Sequence, residues 1–251
     1  MKNKKGESHL GFILSFVIFI TFLLFVYTTL EPTLKIRASK QPVLDFLRFS
    51  FVDKMESNNT ILTITIPDGR TKNCVKVTGN GGDNGKFYDF AKNNKLLIKN
   101  ETGSKINYTY QGEGGGQILM GIIDSSYIGI LKGYNSTALE GSPLYNGGAG
   151  CDQVDVTIGS LVEKPQVYES NIISLKDKYD LDCGATLKTE LGVPSGNDFT
   201  FSFEFANGTI MEPKLECGGI PDTDVYATTF PLEYLDSDAN SQIGFLTIKV
   251  W

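Results

Sequence analysis

The chain has 251 residues, 41% of them hydrophobic, with a formal net charge of −6 and a pI near 4.9. That is enough material to bury a core, and the acidic balance excludes a general role in holding a polyanion, which calls for a basic face; nucleic acid is not an expected partner. The apolar residues crowd into one early block, so the average composition hides two environments.

From residue 10 to residue 30 the sequence LGFILSFVIFITFLLFVYTTL carries no charge. Its 21 residues, at about 1.5 Å each, reach about 30 Å, the thickness of a hydrocarbon core. Residues 1–30 are therefore expected to form a cytoplasmic tip and a transmembrane helix, with the lipid bilayer as the first partner. A cleaved secretory signal would end in small residues in an A-x-A pattern, and Tyr27, Thr28, Thr29, Leu30, Glu31 and Pro32 offer none, so the anchor is read as retained.

Flanking charge does not fix orientation, because Lys2, Lys4 and Lys5 on one side face Lys35, Arg37 and Lys40 on the other. Sidedness comes from two other features. The four cysteines (Cys74, Cys151, Cys183, Cys217) and the five N-x-[ST] sequons (Asn58, Asn100, Asn107, Asn135, Asn207) all follow the apolar segment. Disulfides and glycans both belong to the non-cytoplasmic side, so the expected placement is a cytoplasmic N-terminus and an extracellular C-terminal domain. The basic residues Lys35, Arg37, Lys40, Arg48 and Lys54 just beyond the span suit contact with lipid headgroups.

Over residues 31–56, Pro32 is expected to loosen the helix. Val43, Leu44, Leu47, Phe51 and Met55 then recur at near-helical spacing, which predicts an amphipathic helix to about Met55. Its apolar stripe would rest against the soluble domain or serve a partner.

From residue 57 the period changes to two. TILTITI at 60–66, the PDGR turn and TKNCVKV at 71–77 predict a β-hairpin. Further strands are expected at 95–99, 105–110, 117–123, 127–131, 154–158, 198–205, 225–235 and 243–250, with glycine-rich loops at 79–85, 112–116 and 146–150. One short helix interrupts them, with Asp182 as its cap, Ala185, Leu187 and Leu191 on one side, and Gly192 and Pro194 as stop signals. The expected fold class is thus α+β: the N-terminal helix, then a mostly antiparallel, sandwich-like β domain over residues 57–251 with one short helix.

The only histidine, His9, lies at the inner edge of the apolar segment. The domain beyond it lacks the commonest general base and metal ligand. The cysteines are too widely spaced for a C-x-x-C metal site, so two disulfides are expected, with all three connectivities open. Asp236, Asp238 and Asn240 imitate the start of a calcium loop, but Ser241 and Thr247 stand where glycine and glutamate are required, which leaves a polar turn. The acid pair Asp152 and Asp155 is a weak glycosidase signal. No catalytic, cofactor-binding or metal-binding residue is assigned, and no cofactor is expected.

KKG at residues 4–6 followed by ESHLGFILSFVIFITFLLFVY resembles the class III signal of archaeal type IV pilin-like proteins. The resemblance implies cleavage after Gly6 by a prepilin peptidase, with Glu7 as the new N-terminus, the apolar stretch as an assembly helix, other pilin-like subunits as partners, and a β-rich head. The fifth mature position is Gly11 where bacterial pilins carry glutamate, with Glu7 at the first. The function expected is structural or adhesive, not enzymatic; an anchored ligand-binding domain or an anchored hydrolase is the alternative.

Overall fold

A computed structural model describes residues 7–67, 71–92, 96–112, 116–121, 129–147, 150–214, 217 and 224–251, without the side chains of 7–10 and 31–39. The chain is α+β, with one long N-terminal helix and mostly antiparallel sheets. The helix α1 (Glu7–Met55) has 49 residues, about 74 Å at the rise of an α-helix. It runs through Pro32, contrary to the expected loosening: proline removes one backbone donor, and the long helical stretches on either side keep the axis helical.

The lower end of α1 is held as its spacing predicts. Leu44, Leu47, Phe51 and Met55 are buried in a cluster with helix α3 (Glu169–Asp182), helix α4 (Ala185–Glu190) and a four-stranded sheet. That sheet is ordered β11 (Ile210–Met211), β10 (Phe199–Glu204), β13 (Ser241–Val250), β12 (Tyr226–Leu235). Its alternation puts Phe199, Phe201, Phe203, Phe230, Leu246 and Ile248 on the helix side and Thr200, Ser202, Thr229 and Thr247 on the other. Gly244 sits on the inner face because a Cβ there would lie 2.5 Å from the Phe203 ring.

Between α1 and α3 the chain inserts a second β unit with its own core. A five-stranded sheet is ordered β4 (Lys105–Ile106), β3 (Leu96–Lys99), β7 (Gly129–Asn135), β1 (Glu56–Ile66), β9 (Thr157–Val167). A four-stranded sheet is ordered β5 (Tyr108–Gln111), β6 (Gln117–Gly121), β2 (Cys74–Thr78), β8 (Asp152–Gln153). Leu62, Ile64 and Leu131 from the first sheet and Val75, Val77 and Ile118 from the second meet in one cluster with Phe87 and Ala91 of helix α2 (Gly82–Ala91). A third, smaller cluster of Leu97, Leu139, Tyr168, Leu235 and Ala239 lies on the opposite face of β3, which explains why all four β3 residues are buried.

Several expectations are corrected. β1 and β2 do not form a hairpin: β1 has β7 and β9 on its two edges, while β2 pairs with β6 and β8 in the other sheet. Residues 68–70 of the PDGR turn at 67–70 lie outside the described residues, as do the centre of the 112–116 loop, 148–149 of the third glycine-rich loop, and 122–128 of the strands expected at 117–123 and 127–131. The strand expected at 105–110 is two strands in different sheets, broken at Asn107. The strand expected at 154–158 is replaced by β8 and the 11-residue β9. β9 is an edge strand exposed on both faces, so it carries no alternating signal, and Lys164 and Pro165 guard its free edge.

The single short helix becomes three. α4 is in place, with the Asp182 carboxylate accepting from the Thr186 N–H at 2.9 Å. α3 and α2 were not expected, the second because GNGGDNG reads as loop. In α2 Asn84 is the anchor: its Oδ1 accepts from the Val156 N–H at 2.8 Å and its Nδ2 donates to Asp155 Oδ1 at 2.7 Å. The disulfides are Cys74–Cys151, across the insert, and Cys183–Cys217, at the end of α3, which selects one of the three connectivities.

Candidate assembly surface

Within α1 the segment Gly11–Leu30 is long and apolar enough to cross a membrane, with a mean hydropathy of 2.5 and no buried side chain; a signal sequence near an N-terminus meets the same criterion. Phe12, Phe16, Phe22 and Phe25 all project, Phe12 with 74% of its surface exposed. The threonines do not break this character, because their hydroxyls return to the helix. Thr21 Oγ1 donates to the Val17 carbonyl at 2.9 Å, Thr28 Oγ1 to Phe25 at 3.0 Å, and Thr29 Oγ1 to Phe25 at 2.9 Å. The surface offered outward is thus apolar around the whole circumference, the pattern of a helix solvated by lipid or by other helices.

Lower on α1 the circumference divides. One side is the buried stripe, with Phe51 stacked edge-on or tilted against Phe199 and Phe201 at 5.7 and 4.8 Å. The other side keeps two aromatics in the open, Phe46 and Phe49. Phe49 lines a groove of about 540 Å³ between α1 and β12, with Val52, Phe230 and Leu232 as its apolar wall and Arg48 and Asp53 at its rim. The Arg48 guanidinium lies 4.5 Å from the centre of the Phe230 ring. Lys40 ties the helix to the loop after α4 through Asn197 Oδ1 at 2.6 Å.

The head is braced as one object by a charged clasp beside the third cluster. Lys99, buried on β3, donates to Asn240 Oδ1 at 2.5 Å, and Lys105 on β4 pairs with Asp238 in the β12–β13 turn. Burial pushes the Lys99 ammonium below its ordinary value, against the attraction of Asp236 and Asp238. The turn holds its shape through Asp236, whose Oδ1 accepts from the N–H groups of Asp238 and Asn240, so the Asp236–Asn240 segment is the polar turn the sequence predicts.

The acid pair Asp152 and Asp155 is committed to the backbone and to α2. Asp152 Oδ2 accepts from the Thr71 and Lys72 N–H groups at 2.6 and 2.9 Å, and the Thr71 bond leads in holding its carboxyl below the ordinary range. Asp155 is the partner of Asn84. Asp180 is the counterpart beside the α1 core: burial opposes its ionisation, but Lys176 at 2.6 Å and the Lys214 N–H at 2.8 Å prevail and lower its pKa. Sequence reasoning named none of Asn84, Lys99 and Asp180: Asp155 for Asn84, Asn240 for Lys99 and the Lys214 N–H for Asp180 lie 34 to 141 positions away, and Lys176, four positions from Asp180, reads in sequence as an ordinary helix-surface pair.

Of the processing candidates, Gly6 lies outside the described residues and Glu7 is the first residue of α1. The sequons are spread over the head, except that the Asn58 and Asn135 triplets meet across the β1–β7 ladder. Asn58 lies on β1, Asn135 at the end of β7, Asn107 between β4 and β5, Asn100 in the β3–β4 turn and Asn207 in the β10–β11 turn. No protein-family description, characterised protein or solved structure matches this chain.

Proposed function

We propose that the protein is a single-span, pilin-like surface subunit with a structural or adhesive role. The N-terminus is cytoplasmic, the head is extracellular, and the upper part of α1 sits in the bilayer or packs against α1 of other copies. The observation that carries this reading is the division of one continuous helix: exposed and apolar all round over Gly11–Leu30, then buried along one stripe against an antiparallel sheet. A rigid helix that is a membrane segment at one end and core at the other joins a head to a lipid or helical environment without a flexible linker. The absence of small residues after Leu30 in the A-x-A pattern supports a retained segment over a discarded signal. The two disulfides support the outward placement of the head, and the two sheets that share the insert core support a sandwich-like reading of that part.

The test uses the fact that both cysteine pairs are bonded and no free cysteine occurs among the described residues. A single Phe19→Cys substitution in the full-length chain, treated in intact cells with a membrane-permeant bismaleimide, is expected to give a cross-linked dimer, the largest product that one free thiol per chain allows. A Thr229→Cys control on the outer sheet face is expected to give none. Monomer alone from the α1 variant contradicts packing between copies through this helix.

A further inference from the structure

The five sequons are equivalent in sequence and unequal in the fold. At Asn58 and Asn107 the asparagine is itself exposed and at Asn135 half-buried, but in all three triplets the middle residue is buried: Asn59 is 0% exposed, Tyr108 1% and Ser136 4%. Each of these triplets is also tied into a sheet. Thr60 is paired on both sides, with Asn135 on β7 and Glu163 on β9, so the Asn58 and Asn135 triplets face each other across one ladder. The Thr109 hydroxyl, third member of the Asn107 triplet, is spent on the Tyr145 carbonyl at 2.6 Å.

The other two triplets are free of these ties. Asn100, itself half-buried, heads the β3–β4 turn, where Glu101 and Thr102 are exposed, and its Oδ1 accepts from the Thr102 hydroxyl and the Ser104 N–H, both at 2.8 Å. Asn207 sits in the β10–β11 turn with Gly208 and Thr209 also exposed, its Oδ1 accepting from the Thr209 N–H at 2.9 Å. Gly208 takes a φ of 80°, a conformation glycine adopts without strain. In both turns the backbone bends sharply around the asparagine and brings the third residue back to it, through the hydroxyl of Thr102 at Asn100 and the N–H of Thr209 at Asn207.

We propose that Asn100 and Asn207 are the N-glycan acceptors of the folded head and that Asn58, Asn107 and Asn135 are not. The donor class is a polyprenyl-phosphate-linked oligosaccharide, presented by a membrane oligosaccharyl transferase on the exported side. The asparagine Nδ2 bonds to the anomeric carbon, the carbon–oxygen bond to phosphate breaks with its electron pair leaving on the lipid phosphate, and the displaced amide proton passes to a base of the transferase. This rests on the extracellular placement of the head.

The experiment maps glycopeptides by mass spectrometry on the full-length chain extracted from membranes of a cell with such a transferase. The five Asn→Gln variants are run alongside on gels, with protease shaving of intact cells as the sidedness control. N100Q and N207Q are each expected to remove one mobility step, the double variant to lose all glycan, and N58Q, N107Q and N135Q to migrate as the parent chain. Occupancy at Asn58, Asn107 or Asn135 matching that at Asn100 and Asn207 overturns the selection by fold. Bare Asn100 and Asn207 on a head that the protease reaches overturns the glycan proposal alone. A head that the protease cannot reach overturns the placement as well.

Discussion

The two halves of α1 share one backbone and differ in everything else. Over Gly11–Leu30 phenylalanine, leucine and isoleucine occupy every side of the helix and none is buried. Over residues 40–55 Leu44, Leu47, Phe51 and Met55 form a stripe that vanishes into the head, while Gln41, Asp45 and Asp53 face outward together with two open aromatics, Phe46 and Phe49. Helix formation is common to both; what separates them is whether the apolar residues lie open on every side or are taken up along one stripe by the chain's own core. The upper half needs an environment supplied by something other than this chain's own head, and the lower half carries its environment with it.

The comparison predicts a double dissociation, and its two arms carry large effects. Phe51→Ala empties a fully buried ring site and is expected to cost the head about 3–5 kcal/mol, read as a lowered Tm, while leaving membrane extraction unchanged. Phe19→Arg is expected to do the reverse, costing about 2.5–3.5 kcal/mol of insertion at the middle of the span and leaving the head's Tm unchanged. Either variant moving both readouts would break the distinction between the halves.

The disulfides sharpen it next, because one lies in the insert and one beside the α1 core. Removing Cys74–Cys151 frees a separation of 77 residues, worth about 4.5 kcal/mol in loop entropy, against about 3.8 kcal/mol for the 34 residues of Cys183–Cys217. Paired Cys→Ala variants measured by denaturant titration check the order. Losing Cys183–Cys217 is expected to loosen the seat of α1 first, since Cys217 packs against that core.

A smaller effect tests the insert. Both amide atoms of Asn59 are buried with no hydrogen-bond partner among the described residues, so Asn59→Leu is expected to stabilise the head by about 1–3 kcal/mol, seen as a raised denaturation midpoint. Acid titration probes the other core. The folded pKa of Asp180 is lowered, so its contribution is complete above the unfolded carboxylate value of about 3.9 and is lost as pH falls through the folded value. Asp180→Asn is expected to flatten that acid limb and the alkaline limb with it, because the bond to Asp180 is the first cause of the raised Lys176 pKa, whose contribution is present below the unfolded lysine value and lost as pH rises through the folded one.

What the sequence made legible followed from local period. The 20-residue apolar run, the Val43–Met55 stripe, α4 with its Asp182 cap and the β12–β13 hairpin around Asp236 were all readable, because each signal lies within a few turns or one hairpin. The β1–β2 hairpin was misread because two alternating runs beside a turn motif look alike whether they pair or part, and parting is decided by β7 and β9 far along the chain. α2 escaped because its glycines hide a helix held by Asn84 contacts 71 and 72 positions away, and β9 because an edge strand exposed on both faces does not alternate. The candidate surface was readable only in its upper half; the groove at Phe49 needs β12 beside α1, a neighbour no local pattern announces.

The most direct test of the central claim is the intact mass of the chain recovered from the membrane fraction. A mass that retains Gly11–Leu30, shortened at most by the residues through Gly6, is the predicted result. A chain found without that segment, or recovered whole from the soluble fraction without detergent, contradicts it.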